Sequence, residues 1–114
     1  MKTYALALDL KDDPALIIEY EAYHKDIWPE IVDSIKDSGI RQMKIYRTGN
    51  RLFMLMTVSE DFSFAKKAAA DNSNPKVMEW EDLMWKYQQA LPGATPGAKW
   101  ILMQEIFSLD ADPR

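Results

Sequence analysis

The chain of 114 residues holds a single histidine, and it stands in EYEAYHKDIWPE, Glu19 to Glu30. His24 has Tyr20 four residues before it and Trp28 four after, so the three share one slowly drifting helix face if the helix persists that far. Imidazole is the side chain whose ordinary pKa lies nearest neutrality, which makes His24 the default proton carrier for any acid–base chemistry here. The pattern alone also has a plainer reading. Aromatic stripes at helical spacing are mostly core, and a histidine near a helix end is commonly satisfied by a backbone carbonyl.

Other chemistries are poorly supplied. One histidine and no cysteine would leave a zinc site mostly carboxylate, so no metal site is expected. The zero cysteine count removes thiolate chemistry and disulfides, and it suits a reducing cytoplasm. No serine lies in a Gly-x-Ser-x-Gly elbow, so a serine nucleophile has no recognisable setting, and the four glycines form no phosphate loop. Among 18 acidic residues a carboxylate pair would arise by coincidence. With 14 Lys+Arg against 18 Asp+Glu, the net charge of −4 gives no pull toward phosphate backbones, and nucleic acid is not an expected partner. The N-terminal stretch is charged too early for a signal peptide, and no apolar run approaches the ~18 residues of a membrane span. We expect a soluble, cytoplasmic protein with no membrane contact. Four tryptophans, Trp28, Trp80, Trp85 and Trp100, are many for this length. Core packing explains one or two, and sugar binding is the rival account, because an aromatic face covers the apolar C–H face of a pyranose.

The elements that must position these residues follow from periodicity. Tyr4, Leu6, Leu8 and Leu10 alternate with Thr3, Ala5, Ala7 and Asp9, the period of a strand with one buried face. Asp12 or Asp13 can cap a following helix, with Pro14 in its first turn. Pro29 would clash with the carbonyl of Lys25 and push Trp28 from helical angles, so a kink or break is expected there. A second helical segment runs from Pro29 to about Ser38, with Ile31, Val32 and Ile35 inward and Gly39 as its stop. IRQMKIYR and RLFMLMTV around TGN read as a hairpin. FSFAKKAAA forms a short helix, DNSNP interrupts it, and Lys76 to Gln89 continues with Val77, Trp80, Leu83, Met84 and Tyr87 at helical spacing. LPGATPG is a connection, AKWILMQEIFSL a closing apolar strand, and about 110–114 a frayed tail.

The expected order is β-α-β-β-α-β in one domain spanning 1–114: a ferredoxin-like α+β fold, with a four-stranded antiparallel sheet and helices on one face. Such a sheet leaves its other face open, and the final strand is apolar on both parities. Two subunits packing sheet to sheet would cover that face, so a homodimer is expected.

Particular residues add a family resemblance. Tyr20, His24, Ile27, Trp28, Pro29 and Glu30, as Y-x-x-x-H-x-x-I-W-P-E, resemble the signature of the L-rhamnose mutarotase family. The likeness extends over nearly the whole chain, through Trp80 in V-M-E-W and the closing Q-E-I-F, Gln104 to Phe107. It implies a cofactor-independent isomerase that interconverts the α and β anomers of L-rhamnose, working as a dimeric α+β barrel. It further implies that His24 is the proton donor, that Tyr20 contacts the sugar and that Trp80 lines the pocket. Trp28 is expected beside them, although its place next to Pro29 also serves the kink. Two positions depart from the rhamnose pattern: Met43 stands where a pocket tyrosine is expected, and Glu81 follows Trp80 where a second tryptophan is common. The segment LMWKYQQALPGATPGAKW differs as well. The sugar expected is therefore L-rhamnose or a related 6-deoxyhexose such as L-fucose.

The chemistry is within reach of these residues. Anomerisation opens a hemiacetal: a base takes the C1 hydroxyl proton while an acid protonates the ring oxygen, and reclosure from the other face reverses the roles. A positioned general acid or base supplies roughly 10² to 10⁴ in rate. Tyr20, Glu105 or a bound water could partner His24. The rival readings are a cofactor-free monooxygenase or haem protein on the same fold, with His24 as haem ligand, and a non-catalytic sugar-binding module.

Overall fold

A computed structural model describes residues 1–95 and 97–110. β1 (Lys2–Leu10) leads to α1 (Pro14–Lys25), α2 (Pro29–Asp37), β2 (Ile40–Thr48), β3 (Arg51–Val58), α3 (Phe64–Asn72), α4 (Pro75–Met84), β4 (Gln88–Gln89) and β5 (Ile101–Leu102). Strand order is β2-β3-β1-β4, all pairs being antiparallel, with β5 also on β1.

Local chemistry sets the boundaries. The Asp13 carboxylate accepts from the Ala15 and Leu16 amides at 3.0 and 3.4 Å, capping α1 with Pro14 in its first turn. α1 ends at Lys25 as the proline argument requires, and Trp28, at φ −53° and ψ 133°, holds the extended conformation forced on a residue before proline. Asn74 caps α4 in the same way, accepting from Lys76 and Val77.

Leu6, Leu8 and Leu10 of β1 and Leu52, Met54, Met56 and Val58 of β3 are buried on one sheet face. The helices cover that face: Tyr20, Ile31, Val77, Trp80 and Met84 join Leu10 and Leu52 in one cluster, and Leu6, Ile40, Met54, Met56 and Val58 form a second. Ala5, Ala7 and Asp9 belong to the opposite parity. Asp9, though buried, is held by the forked guanidinium of its cross-strand neighbour Arg51 at 2.7 and 3.1 Å, which satisfies the carboxylate and locks the β1–β3 register.

Two expectations are corrected. α4 stops at Met84 instead of running to Gln89, because Gln88 and Gln89 pair with Leu10 and Asp9 while the Tyr87 carbonyl accepts from the Lys11 amide at 2.8 Å. The closing strand is only Ile101–Leu102, opposite Ala7 and Leu6, extended by one bond from the Met103 amide to the Ala5 carbonyl. The fourth sheet position is thus shared by two short strands along β1, and among the described residues the sheet has five strands rather than four. Residues 104–109 belong to no element and expose Ile106, Phe107 and Leu109. Of the expected tail, 111–114 lie outside the described residues.

Gly39 joins α2 to β2 at φ +97°, and a Cβ built there would come within 2.7 Å of the Ser59 hydroxyl. Gly39→Ala is expected to destabilise the fold by about 1–2 kcal/mol, read as a lower urea midpoint with an unchanged m-value.

Candidate functional site

The site is built upward from α1. Its one buried residue is Tyr20, and burial is the main cause that pushes the phenol up to about 12; the Gln88 amide offsets part of the rise and the Glu81 charge adds to it. Tyr20 therefore keeps its O–H at neutral pH. One turn on, the His24 Nδ1 lies 2.9 Å from the Tyr20 carbonyl oxygen. A carbonyl can only accept, so Nδ1 carries the proton in this bond and Nε2 of the neutral ring presents a lone pair. Burial lowers the His24 pKa below 6.5, against the smaller opposing effect of that carbonyl. The imidazole is neutral at pH 7 and is an acceptor before it is a donor.

Aromatic neighbours make the dry wall that causes this shift. The Tyr20 and His24 rings lie 4.3 Å apart, centroid to centroid, and Trp80 of α4 stands 5.8 Å from His24 on the core side. Trp28 meets Trp80 edge-on at 5.1 Å, with Lys76 Nζ 5.4 Å from the centre of its own ring. The break before Pro29 takes Trp28 off the α1 face, so it reaches Trp80 without continuing the helix. Tyr23 contacts both Trp80 and Tyr87, and the Tyr87 hydroxyl donates to Glu19 at 3.3 Å.

A cavity of about 370 Å³ opens between α1 and the β2–β3 hairpin. Tyr20 and His24 line it, with Ile45 and Leu52 as an apolar floor and Glu21, Lys25, Tyr46 and Arg47 completing the lining. A hexose is of a size to enter. Trp80 and Trp28 stand behind the imidazole and do not line this space. Met43 packs with the second core cluster, two residues short of the cavity wall at Ile45. Glu81 holds the Lys99 ammonium, which also donates to the Glu81 carbonyl at 3.1 Å and lies 5.0 Å from the centre of the Trp85 ring. The linker before β5 is thereby fastened to α4. Glu105 lies in the exposed stretch after β5, away from the cavity lining.

Periodicity left out Glu21 and Arg47, although one signal was present. Met43, Ile45 and Arg47 share the helix-facing parity of β2, and a charged residue on that parity needs a reason. Among the described residues no three histidine or carboxylate side chains gather as metal ligands, and no helix is long and apolar enough to cross a membrane.

The model of the L-rhamnose mutarotase family matches residues 3–109. An L-fucose mutarotase from Xanthomonas campestris pv. campestris is 49% identical over 111 residues, covering 96% of this chain and 89% of the relative. An L-rhamnose mutarotase from Paraburkholderia phytofirmans is 30% identical, covering 84% of this chain and 86% of the relative. The crystal structure of an L-rhamnose mutarotase from Formosa agariphila superposes with a TM-score of 0.70 at 25% identity, covering 96% of this chain and all of that one.

The single histidine makes the electrostatic account easy to check by NMR, since only one imidazole signal exists. His24 is expected to titrate with a midpoint below 6.5, moving toward 6.5 in Trp80→Ala as the wall is opened. The unfolded chain takes up the proton near 6.5, and the folded chain only at a lower pH. Stability from this group is therefore fully present above 6.5 and declines as the pH falls from 6.5 through the folded value.

Proposed function

The chain belongs to the L-rhamnose mutarotase family, and we propose that it interconverts the anomers of L-fucose in preference to L-rhamnose, with His24 carrying the proton. The reaction class, isomerisation of a sugar at its anomeric carbon, goes with the family. The preference for fucose is supported by 49% identity to the fucose relative against 30% to the rhamnose relative. The two expected departures from the rhamnose pattern, Met43 and Glu81, agree with it. The readings as oxygenase, haem protein or non-catalytic binder are not favoured, because these relatives are named for mutarotation.

One observation carries the mechanism: a neutral imidazole whose Nδ1–H is committed to the Tyr20 carbonyl, facing a sugar-sized cavity. Nε2 takes the proton of the C1 hydroxyl while the C1–O5 bond breaks, and the ring oxygen gains a proton, giving the open-chain aldehyde. Tyr20, protonated up to about 12, is the hydrogen-bond donor available to O5; a bound water is the other carrier. Glu105 is not among the residues lining this cavity. Rotation about C1–C2 and reclosure run the transfers backwards, so the imidazolium formed in the first half returns its proton. Within this reading Tyr20 contacts the sugar, Trp80 backs the imidazole and Trp28 braces Trp80.

We also propose that two copies associate through the open sheet face, and that the protein works in the cytoplasm. Support for the dimer comes from the outward parity of Ala5, Ala7, Phe53 and Leu55 with Tyr46 exposed beside them, and from the apolar stretch that carries Ile106, 91% exposed, and Phe107, 77% exposed. A monomer would leave all of this in water. Support for the cytoplasm is the cysteine-free composition.

Exchange NMR on the anomeric protons tests the mechanism. His24→Gln is expected to lower the catalysed rate by roughly 10² to 10⁴, and the wild-type rate to hold at neutral pH and fall on the acid side with a midpoint below 6.5. A variant rate equal to wild type would remove His24 from the reaction. Light scattering is expected to give twice the chain mass, and a monomer would contradict the packing of two sheets.

A further inference from the structure

A charged pair at the mouth of the His24 cavity has no part in the mechanism above. Arg47 points from the inward parity of β2 toward α1, where its Nε donates to Glu21 Oε2 at 2.7 Å. Its Nη1 donates to the Gly49 carbonyl at 2.7 Å, so the hairpin turn anchors the guanidinium from behind. Both side chains line the same cavity as His24 and Tyr20. Each is partly exposed, at 34% and 46%, and ion pairs in that condition add little to stability. Bracing α1 to β2 is therefore a weak reason for placing an arginine on an inward parity otherwise held by Met43 and Ile45. Glu21 Oε1 and the unused N–H groups of Arg47 have no partner among the described residues.

We propose that Glu21 and Arg47 form the hydroxyl-binding edge of the site and set its choice among 6-deoxyhexoses. The inference rests on the mutarotase reading, with the anomeric carbon at His24. Glu21 lies three residues before His24 on α1, which separates their Cβ atoms by about 5–6 Å, close to the width of a pyranose ring. A sugar with C1 at the imidazole turns its C3–C4 edge toward the pair. A carboxylate that only accepts, held beside a guanidinium that only donates, suits two neighbouring hydroxyls on one side of the ring. L-fucose carries its C3 and C4 hydroxyls cis. L-rhamnose carries them trans, with its cis pair at C2 and C3, so the same edge engages only one of the two hydroxyls well.

The test is the kinetics of Arg47→Met and Glu21→Gln with L-fucose and L-rhamnose, with folding checked by near-UV circular dichroism. Each variant is expected to raise KM for L-fucose roughly tenfold or more, with kcat changed by about twofold at most and the fucose-to-rhamnose ratio reduced. KM values and a ratio equal to wild type in both folded variants would overturn the proposal. The exchanged pair E21R/R47E separates positioning from bracing: it keeps an ion pair across the gap, and recovery of the wild-type KM would show a brace alone. If the wild-type protein anomerised neither sugar, the mutarotase reading would fail and saturation-difference NMR would still decide this one. Binding of L-fucose weakened by Arg47→Met would support the edge, whereas unchanged or absent binding would contradict it.

Discussion

The backbone break at Pro29 governs the rest of the site. A proline there has no N–H to donate to the Lys25 carbonyl, its ring would clash with that carbonyl, and it cannot leave Trp28 helical, so α1 must end and the chain must turn. The turn brings Trp28 onto one part of Trp80 while His24, in the last turn of α1, meets another. Had the helix run on, Trp28 would have stayed on the His24 face and Trp80 would have lost a neighbour. Trp80 is the hub on which α1, the break and α4 converge, and its burial is what dries the inner side of the imidazole.

That dry wall decides the protonation states. Taking an imidazolium out of water costs more than one carbonyl returns, so His24 is neutral, and the same burial keeps the Tyr20 phenol protonated. The Tyr20 carbonyl then chooses the tautomer. A lone pair and an O–H donor result, lining one cavity. Ring opening of a hemiacetal asks for one proton taken and one given, so neutral groups of this kind suffice. The charges stand farther out, at Glu21, Lys25 and Arg47, where water lowers the cost of holding them.

Much of this is legible in the amino-acid sequence. β1 and the hairpin announced themselves by strict alternation, and Pro29, Gly39 and the Asn74–Pro75 pair marked boundaries through backbone chemistry that acts locally. The two misread segments were decided by distant partners. Nothing within LMWKYQQ says that Gln88 will pair with Leu10, since helical spacing continues through Tyr87, and the apolar run after Lys99 looks like a strand whether or not a neighbour has room to pair with it. Tyr20 and His24 were singled out by residue type and spacing, and the cavity holds both. Arg47 was harder to see, because its meaning lies in the parity it breaks and in a glutamate 26 positions away.

The most direct test of the account is the rate of anomeric exchange of L-fucose and of L-rhamnose, measured by NMR with and without the protein at a pH where spontaneous mutarotation is slow. Both sugars are expected to be accelerated, L-fucose more than L-rhamnose. Acceleration favouring L-rhamnose would contradict the assigned selectivity, and no acceleration of either sugar would contradict the central claim that a neutral His24 in this cavity opens and closes a sugar ring.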